Sequence, residues 1–419
     1  MNPTFTKAIR YFVEIECRSP LRTGSSERDP KAILLDSERV PFVQGTSLAG
    51  AFRAWMADPE LFPETDRRSP LVFSDLRLEN AEPVLRPRLR IDPATGTAMH
   101  SQKFDTAALP AGTGGSFQLI WTGHADPQTM AQRIERYLAA LNFGEITLGA
   151  QKTNGFGRVA VRAKRRIYDM SFSSDLDAWL LGEDVTDAQA IPLSTRMEQD
   201  VLFTVTAEAP ALLIKAPGSK RETINGRDNC SVFTPMAESG SYIVPGSSLK
   251  GSIRSQMARI CPAVGYRPTD LENLFGRANR KSDGGAAGVI RFSDGQLADG
   301  KTNRVPRIRI NRLTGGIMPQ NIFFSDALGA AVTFEIRIPA SHRAGCALVL
   351  YALRDLGLGL YELGSGSAVG RGRMQNLQVE ILAPDGRASL RCTNGAVTLT
   401  DEDGLVARCT AELGKKVPL

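Results

Sequence analysis

The pattern that decides the fold occurs twice in this chain: residues 42–53 read FVQGTSLAGAFR and residues 243–254 read IVPGSSLKGSIR. The second copy begins 201 residues after the first, at position 243 rather than 42. In each copy a glycine and small hydroxyl residues precede an amphipathic stretch, which predicts a capped helix. A repeat of this length is far too long for a solenoid and is typical of a duplicated domain.

Four further motifs recur in the same order and at nearly the same offset. The pairs are Phe73-Ser74-Asp75 with Phe292-Ser293-Asp294, the arginine segments 88–92 with 307–311, Phe117 with Phe334, and the glycine-rich loops 149–158 with 364–373. Ordered matches at a nearly constant offset are hard to obtain by chance. We therefore predict that the chain is a tandem duplication of one domain.

Composition narrows the class of protein. The chain has 419 residues, 42% of them hydrophobic and 23% charged, which is typical of a folded protein with two or three domains. It has no long apolar run and no charged-then-apolar leader, so we expect no membrane association and a cytoplasmic location. The six cysteines form no Cys-x-x-Cys pair, which favours buried thiols over a zinc site. A net charge of +6 suits a polyanionic partner.

Hydrophobic periodicity predicts the same order of elements in each copy. Residues 11–17 and 202–207 alternate with a period of two and predict the first strand. A helix follows in each copy, then extended segments, a second helix and a last strand. This order is the ferredoxin-like pattern, so we predict an α+β fold with two tandem domains. The domains are expected at 1–170 and 201–384, with a linker at 171–200 and a C-terminal extension at 385–419.

The repeated motifs resemble the RAMP superfamily, the repeat-associated proteins of CRISPR systems. The resemblance covers residues 5–165 and 200–382, and is carried by the Gly-Ser-Ser-Leu-Lys-Gly helix start, the arginine segment with its Thr-Gly pair, and the glycine-rich loop. In particular, the motifs resemble backbone subunits of type III effector complexes. Fusion of two such units in one chain resembles type III-D systems.

This resemblance implies two ferredoxin-like (RRM-like) RAMP domains with inserted thumb hairpins. It implies a protein that binds CRISPR guide RNA and complementary target RNA, and that assembles with other type III effector subunits. One chain would fill two successive positions on the guide. The paired target RNA would be cut at each position.

The two helix starts are candidate phosphate sites. Glycine lets the backbone approach an anion, and the first N–H groups and the helix dipole attract it. An ordinary cap in a tight turn is the alternative interpretation. The candidate RNA-binding residues are Gly45, Ser47 and Arg53 in the first copy, and Gly246, Ser247, Ser248, Lys250 and Arg254 in the second. Ala49 stands where the second copy has Lys250, which predicts a weaker contact in the first copy.

The glycine-rich loops are candidates for contact with a sugar-phosphate chain, because glycine allows close approach and the basic residues supply charge. A simple turn is the alternative for either loop alone. The residues are Lys152, Gly155, Gly157 and Arg158 in the first copy, and Gly370, Arg371, Gly372 and Arg373 in the second.

Arginines alternate with aliphatic residues in the strand-like segments 86–91 and 307–310. A period of two places the arginines on one face of a strand and the aliphatics on the other. The arginine face is either a solvated outer face or an RNA-facing one. The resemblance makes residues 92–110 a candidate thumb hairpin. Its candidates for stacking on a base are Met99, His100 and Phe104.

Asp29 and Asp228 are the candidate catalytic residues, and each follows an arginine in the polar loop before the first helix of its copy. An isolated loop aspartate is usually a turn former or a cap. The resemblance, however, implies an aspartate in this loop that cuts target RNA with a divalent metal. Both carboxylates are therefore candidate ligands for Mg²⁺ or another divalent cation, and the chain would then be a metal-dependent endoribonuclease.

Three other functions remain open. The chain could be a structural backbone whose aspartates are inert, a CRISPR precursor-RNA processing endoribonuclease, or a basic scaffold that binds no RNA. The processing enzymes commonly use a histidine near the first loop and helix, and none precedes His100 here. The sequence contains no Gly-x-Ser-x-Gly elbow, and we expect neither a hydrolase of that class nor a Walker-type nucleotide hydrolase.

Overall fold

The computed structural model of the chain describes residues 5–24, 31–64, 67–79, 81–92, 98–182, 188–194, 197–277 and 285–414. The chain divides into two units. Unit 1 comprises Met1–Arg90, His100–Lys152 and Phe156–Gln199, and unit 2 comprises Ile91–Met99, Thr153–Gly155 and Asp200–Leu419. No helix in the described part of the chain is both long and apolar enough to cross a membrane.

In its described residues, unit 1 combines a large sheet, a separate two-stranded sheet and three α-helices. Its strands are β1 (Lys7–Cys17), β2 (Phe42–Val43), β3 (Leu71–Phe73), β4 (Leu76–Leu78), β5 (Val84–Ile91), β6 (Ala98–Ala108), β7 (Gly114–Gly123), β8 (Val159–Asp169) and β9 (Gln189–Ala190), and its helices are α1 (Gly45–Trp55), α2 (Pro127–Phe143) and α3 (Ser173–Leu181).

Strand β1 lies at the centre of the unit 1 sheet, whose order is β2-β4-β7-β1-β8-β9. It is antiparallel to β7, with Val13 opposite Phe117, and antiparallel to β8, with Val13 opposite Ala163. Because successive side chains of a strand alternate between faces, one face of β1 is apolar. That face shares a single core with Leu48 of α1 and Ile134 of α2.

Unit 2 has the same kinds of element with additional strands. Its strands are β10 (Asp200–Leu212), β11 (Lys220–Ile224), β12 (Arg227–Phe233), β13 (Ala237–Glu238), β14 (Ser241–Val244), β15 (Gly276–Arg277), β16 (Ala286–Ala287), β17 (Arg291–Phe292), β18 (Gly295–Ile310), β19 (Ile317–Pro339), β20 (Gln375–Ala383), β21 (Gly386–Thr393) and β22 (Ala396–Thr400), and its helices are α4 (Gly246–Ile260), α5 (Glu272–Phe275), α6 (Arg343–Gly357) and α7 (Leu405–Gly414).

The centre of unit 2 repeats the centre of unit 1. Strand β10 is antiparallel to β19, with Val205 opposite Phe334, and antiparallel to β20, with Val205 opposite Val379. The path of the sheet is β13-β14-β18-β19-β10-β20-β21-β22. Residues of α4 and α6 complete its core. The predicted α+β fold with two ferredoxin-like units is confirmed.

Both segments that lack a repeat contain ordered elements. The predicted linker 171–200 includes helix α3, whose Ala178 is buried together with Tyr168 of β8. The predicted extension 385–419 includes β21 and β22, which continue the sheet beyond β20, and α7, whose Cys409 lies in the unit 2 core. Helix α3 therefore packs on unit 1, and β21, β22 and α7 are parts of unit 2.

Two hairpins carry the arginine segments. Strands β5 and β6 form a separate two-stranded sheet, and β18 and β19 form one long hairpin. The candidate thumb segment 92–110 contains β6, and its residues 93–97 lie outside the described part of the chain. Met99 is exposed, while the side chains of His100 and Phe104 also lie outside what is described.

Candidate nucleic-acid interface

An aspartate holds the start of the first helix in each unit. The N–H of Gly45 donates to Oδ1 of Asp75 at 2.8 Å, and the N–H of Gly246 donates to Oδ1 of Asp294 at 2.8 Å. A carboxylate therefore binds this N–H group and faces the positive end of the helix dipole, where we predicted a phosphate. Both aspartates end the repeated Phe-Ser-Asp motif, whose role the sequence alone did not indicate.

The same helix starts need glycine for packing. A Cβ on Gly45 or Gly246 would lie 2.4 or 2.9 Å from carbonyl oxygens of the Phe-Ser-Asp motifs. A side chain at either position would push the helix off the strand that it packs on. The other candidates at the helix starts are Ser47 and Ser248, which are exposed, and Ser247, which is half-buried.

The basic residues on these two helices differ in their contacts. Arg53 and Arg254 are exposed, and Cζ of Arg254 lies 5.5 Å from the centroid of the Phe275 ring. Nζ of Lys250 donates to Oγ1 of Thr153 at 2.9 Å. The two arginines are thus accessible to a phosphate, whereas Lys250 also supports the neighbouring loop.

Both glycine-rich loops close in the same way. Gly157 and Gly372 have φ angles of 84° and 81°, a region that L side chains rarely adopt. A Cβ on them would lie 2.0 and 1.9 Å from the carbonyl oxygens of Leu148 and Leu363. Glycine at these two positions is therefore required by the loop itself, whatever the loop binds.

The glycines two residues earlier differ between the repeats. Gly155 is buried, and a Cβ on it would lie 2.8 Å from the carbonyl oxygen of Phe292. Gly370 is exposed, and no heavy atom of the described residues lies within 4 Å of its Cβ position. The close approach that we predicted for RNA at Gly155 is made by protein backbone, whereas Gly370 has open space beside it.

The charged residues of the loops reach the surface to different extents. Lys152 and Arg158 are half-buried, and Arg373 is exposed. The backbone of Arg158 is fixed in unit 1, because its N–H donates to Oγ of Ser19 at 3.0 Å. Arg373 is therefore the most accessible of these three cations.

Arg371 belongs to a group of three cations in unit 2, which we call the unit 2 cation cluster (Lys215, Arg307 and Arg371). Arg371 is only 6% exposed, and its Nη2 has no hydrogen-bond partner among the described residues. Burial lowers the pKa of Arg371, and the Arg307 guanidinium lowers it further. Burial also lowers the pKa of Lys215, and the nearby Arg371 and Arg307 lower it further. Nζ of Lys215 lies 4.4 Å from the centroid of the Phe233 ring.

Unit 1 has a corresponding group, which we call the unit 1 cation cluster (Arg22, Arg86 and Arg88). Burial lowers the pKa of Arg88, and the nearby Arg22 and Arg86 lower it further. Arg86 is 5% exposed, and its Cζ lies 5.2 Å from the centroid of the Phe156 ring. Nη1 of Arg22 donates to the carbonyl oxygen of Ala107 at 3.0 Å. Like charges are therefore gathered in partly desolvated surroundings in both units.

The two clusters use different positions of the repeat. Only Arg88 and Arg307 are equivalent, at the offset of the arginine motif. Arg371 stands where unit 1 has Phe156, and Arg86 stands where unit 2 has Val305. Comparison of the two copies residue by residue does not reveal this correspondence, which is why sequence reasoning missed it.

Strand β5 places Arg86 inward. Arg86 is buried, whereas Leu85, Leu89 and Ile91 of the same strand are each more than half exposed. A solvated outer face is therefore the wrong interpretation for Arg86. A period of two separates two faces, but it does not say which of them is covered.

The sequence also contains the spacing of a phosphate-binding loop, which our expectation of no Walker-type hydrolase overlooked. Residues 295–302 read GQLADGKT, a match to Gly-x₄-Gly-Lys-Thr. A nucleotide-binding loop of this kind must lead from a strand into a helix whose N-terminus faces the phosphates. Here all eight residues belong to strand β18, so the match does not form such a site.

Of the two candidate catalytic residues, Asp29 lies outside the described residues. Asp228 is exposed near the turn of the β11–β12 hairpin, and its Oδ1 accepts a hydrogen bond from Oγ1 of Thr223 at 2.7 Å. Within the described ranges, no three His, Cys, Asp or Glu side chains converge as metal ligands. A lone carboxylate fits a Mg²⁺ ion shared with substrate phosphates, and does not fit a cage made by protein alone.

The comparisons with known proteins agree with this architecture. A sequence model of the RAMP superfamily matches residues 14–160 and, separately, residues 232–375, which together exceed half of the chain. No curated protein matches the chain. Proteins of this superfamily bind CRISPR RNA and act in complexes of several subunits. With one match to each repeat and a ferredoxin-like sheet in each unit, the chain belongs to the RAMP superfamily and is a CRISPR-associated RNA-binding protein.

Proposed function

We propose that this chain is a backbone subunit of a type III CRISPR effector complex, of the III-D-like kind in which two backbone units are fused. Each unit would hold its own stretch of guide RNA through the phosphates, and complementary target RNA paired with the guide would be cut at two positions. The observation that carries this proposal is the presence of a cation cluster in each unit.

The unit 2 cation cluster supports binding of a phosphate because it gathers three like charges around a nearly buried arginine. Lys215 and Arg307 repel the Arg371 guanidinium, and burial of Arg371 removes the water that would otherwise screen this repulsion. Arg371 is almost fully buried, and its Nη2 lacks a partner among the described residues. A phosphate oxygen would reach the exposed Lys215 and the half-buried Arg307, accept charge-assisted hydrogen bonds from them and neutralise the cluster.

Contacts of this kind fit a guide whose sequence varies. Phosphate contacts position a nucleic acid without reading its bases, so one protein can hold unrelated spacers. The exposed Arg53, Arg254 and Arg373 would add further contacts along the chain of phosphates. Because each cluster lies within its own unit, one chain would engage two stretches of guide.

We expect Arg371→Ala to weaken guide binding equally for two guides with unrelated spacers. The slope of log affinity against log salt should become shallower by about 0.7, the value for one phosphate contact on a single strand. Filter binding over a salt series measures this slope. The matched control is Arg391→Ala, which removes an exposed arginine of β21 outside the cluster. Equal effects of the two changes, or a loss confined to one spacer, would contradict the proposal.

For cleavage we propose that Asp29 and Asp228 each serve one target position with Mg²⁺ or another divalent cation. A bound divalent ion would stabilise charge on the phosphate and lower the pKa of a nucleophile. The carboxylate of Asp228 is exposed and so is accessible to an approaching phosphate. Some members of the superfamily are endoribonucleases, which supports this step.

In the assembled complex, Asp228→Asn should remove one cut of an end-labelled target and Asp29→Asn a different one, with guide and target binding unchanged. Removal of divalent metal with a chelator should abolish both cuts. Gel mapping of the products measures each position separately. If both cuts persist in the double variant, another residue or subunit performs the chemistry.

A structural backbone without catalytic activity is the second candidate function. It is favoured by the isolation of Asp228, whose carboxylate bonds to Thr223 and has no cluster of metal ligands around it within the described ranges. The same gel assay separates the two functions. An assembled wild-type complex that binds target without cutting it would favour the inert backbone.

A further inference from the structure

Strand β22 ends the unit 2 sheet in the described part of the chain. It is reached from β21 through Asn394 and Gly395, whose φ angles are 52° and 79°. An Asn-Gly pair with both φ angles positive is the preferred two-residue turn of a β-hairpin, so it fixes the register of β22. The pairing runs without a bulge from Ala396 opposite Thr393 to Thr400 opposite Ser389.

This edge lacks the protection seen at the other ends of the two large sheets. The strands that end the other paths, β2, β9 and β13, have only two residues each. Short edge strands, charged residues, prolines and bulges are the usual means by which proteins prevent a sheet from growing. β22 has five residues, AVTLT, with no charge and no proline, and all five are exposed.

The apolar row of the core continues onto this edge. Val397 lies opposite the buried Cys392, and Leu399 lies opposite the buried Leu390. Val397 and Leu399 are nevertheless 42% and 47% exposed. Their side chains therefore extend the core-facing side of the sheet past the part that the helices cover, and one further strand would cover them.

We propose that β22 pairs with β22 of a second copy of this chain, antiparallel and centred on Thr398. In this register Val397 faces Leu399 of the second copy, so the apolar row is completed on one face. Thr398 faces Thr398 of the second copy on the other, and identical uncharged strands meet without like-charge repulsion. A two-fold axis through Thr398 closes the assembly as a dimer.

The proposal goes beyond the proposed RNA-binding function and does not rest on it. β22 lies after residue 375, where the second family match ends. It also lies in the segment that has no counterpart in the first repeat. Dimerisation can therefore fail while RNA binding persists, and RNA binding can fail while dimerisation persists.

Cysteine cross-linking tests the register in the full chain after RNA has been removed. The six native cysteines are buried, so a new surface thiol reacts selectively. Directly opposed residues of antiparallel strands bring their Cβ atoms close enough for a disulfide. Under mild oxidation Thr398→Cys should give a covalent dimer and Thr400→Cys alone should not. A mixture of Thr400→Cys with Ala396→Cys should give the mixed dimer.

Sedimentation over a concentration series tests the equilibrium. The wild-type chain should approach twice the monomer mass, and Val397→Lys/Leu399→Lys should remain monomeric. The matched control is Leu382→Lys on β20, an exposed apolar residue whose strand is paired on both sides; it should dimerise like the wild type. Filter binding of guide RNA should be the same for all three proteins.

Three outcomes would overturn the proposal. They are a wild-type chain that stays monomeric at every concentration, a double lysine variant that dimerises as well as the wild type, and a Thr398→Cys chain that cross-links only to another subunit of the assembled complex. The last of these would assign the edge to a strand of that subunit.

Discussion

The two units of this protein agree in backbone geometry and differ in where they place their charge. Asp75 and Asp294 accept the same hydrogen bond at the same distance, and Gly157 and Gly372 close the same loop. The cation clusters, by contrast, share one equivalent position among three. Some features of the repeat therefore occupy equivalent sequence positions in both units. The cation clusters, in contrast, are built mostly from different sequence positions.

Physical chemistry explains this difference. A hydrogen bond weakens steeply with a small change of distance or angle, so the residue that makes it cannot move along the chain. A Coulomb interaction falls off slowly with distance, so an arginine on a strand can replace an arginine on a loop. Clustered charge in a duplicated protein can thus be retained although most of the individual residues that carry it are not.

The largest expected effect concerns the loop glycines. Gly372→Ala should destabilise unit 2 by about 3 kcal/mol or more, because the methyl group overlaps the Leu363 carbonyl and φ is positive. The φ angle of Gly370 is also positive, but the space beside it is open. Gly370→Ala should therefore destabilise unit 2 by only about 1 kcal/mol. Midpoints of urea unfolding followed by far-ultraviolet circular dichroism measure both.

The tryptophans provide the control for this pair. All three, Trp55, Trp121 and Trp179, lie in unit 1. Gly372→Ala should therefore leave the fluorescence transition in place, whereas Gly157→Ala should shift it. Similar midpoints for Gly372→Ala and Gly370→Ala would show that the loop of unit 2 is not closed as described.

A smaller effect is expected at the helix starts. Asp75→Ala and Asp294→Ala should each destabilise by roughly 1 kcal/mol, the usual loss for a helix cap, and Asp294→Ala by more because that carboxylate is buried. The guide-RNA affinity of the folded variants should not change. Tighter RNA binding in either variant would mean that the freed Gly N–H binds phosphate, and would restore our first interpretation of the helix starts.

The sequence predicted the fold well because the fold depends on patterns that are local and repeated. The alternation around Val13 and Val205 predicted the central strands, and the offset of the motifs predicted two similar sheets. The cap role of Asp75 could not be predicted, since it needs contact between residues thirty positions apart along the chain. The sequence also could not predict that Arg86 points inward, because alternation with a period of two does not distinguish the buried face of a strand from the exposed one.

The smallest expected effect is also the most direct test of the difference between the units. Arg86→Ala should make the slope of log guide affinity against log salt shallower by about 0.7, because one phosphate contact is lost. The double change Arg86→Val with Phe156→Arg gives unit 1 the residues that unit 2 has at these positions, and should restore the original slope. Phe156→Arg alone adds a fourth cation beside three and should lower stability through repulsion. Filter binding over a salt series, with unfolding midpoints as the stability control, measures both effects. If the double variant folds but keeps the shallow slope, the position of Arg86 matters and not only its charge, and the two clusters are then not equivalent sites.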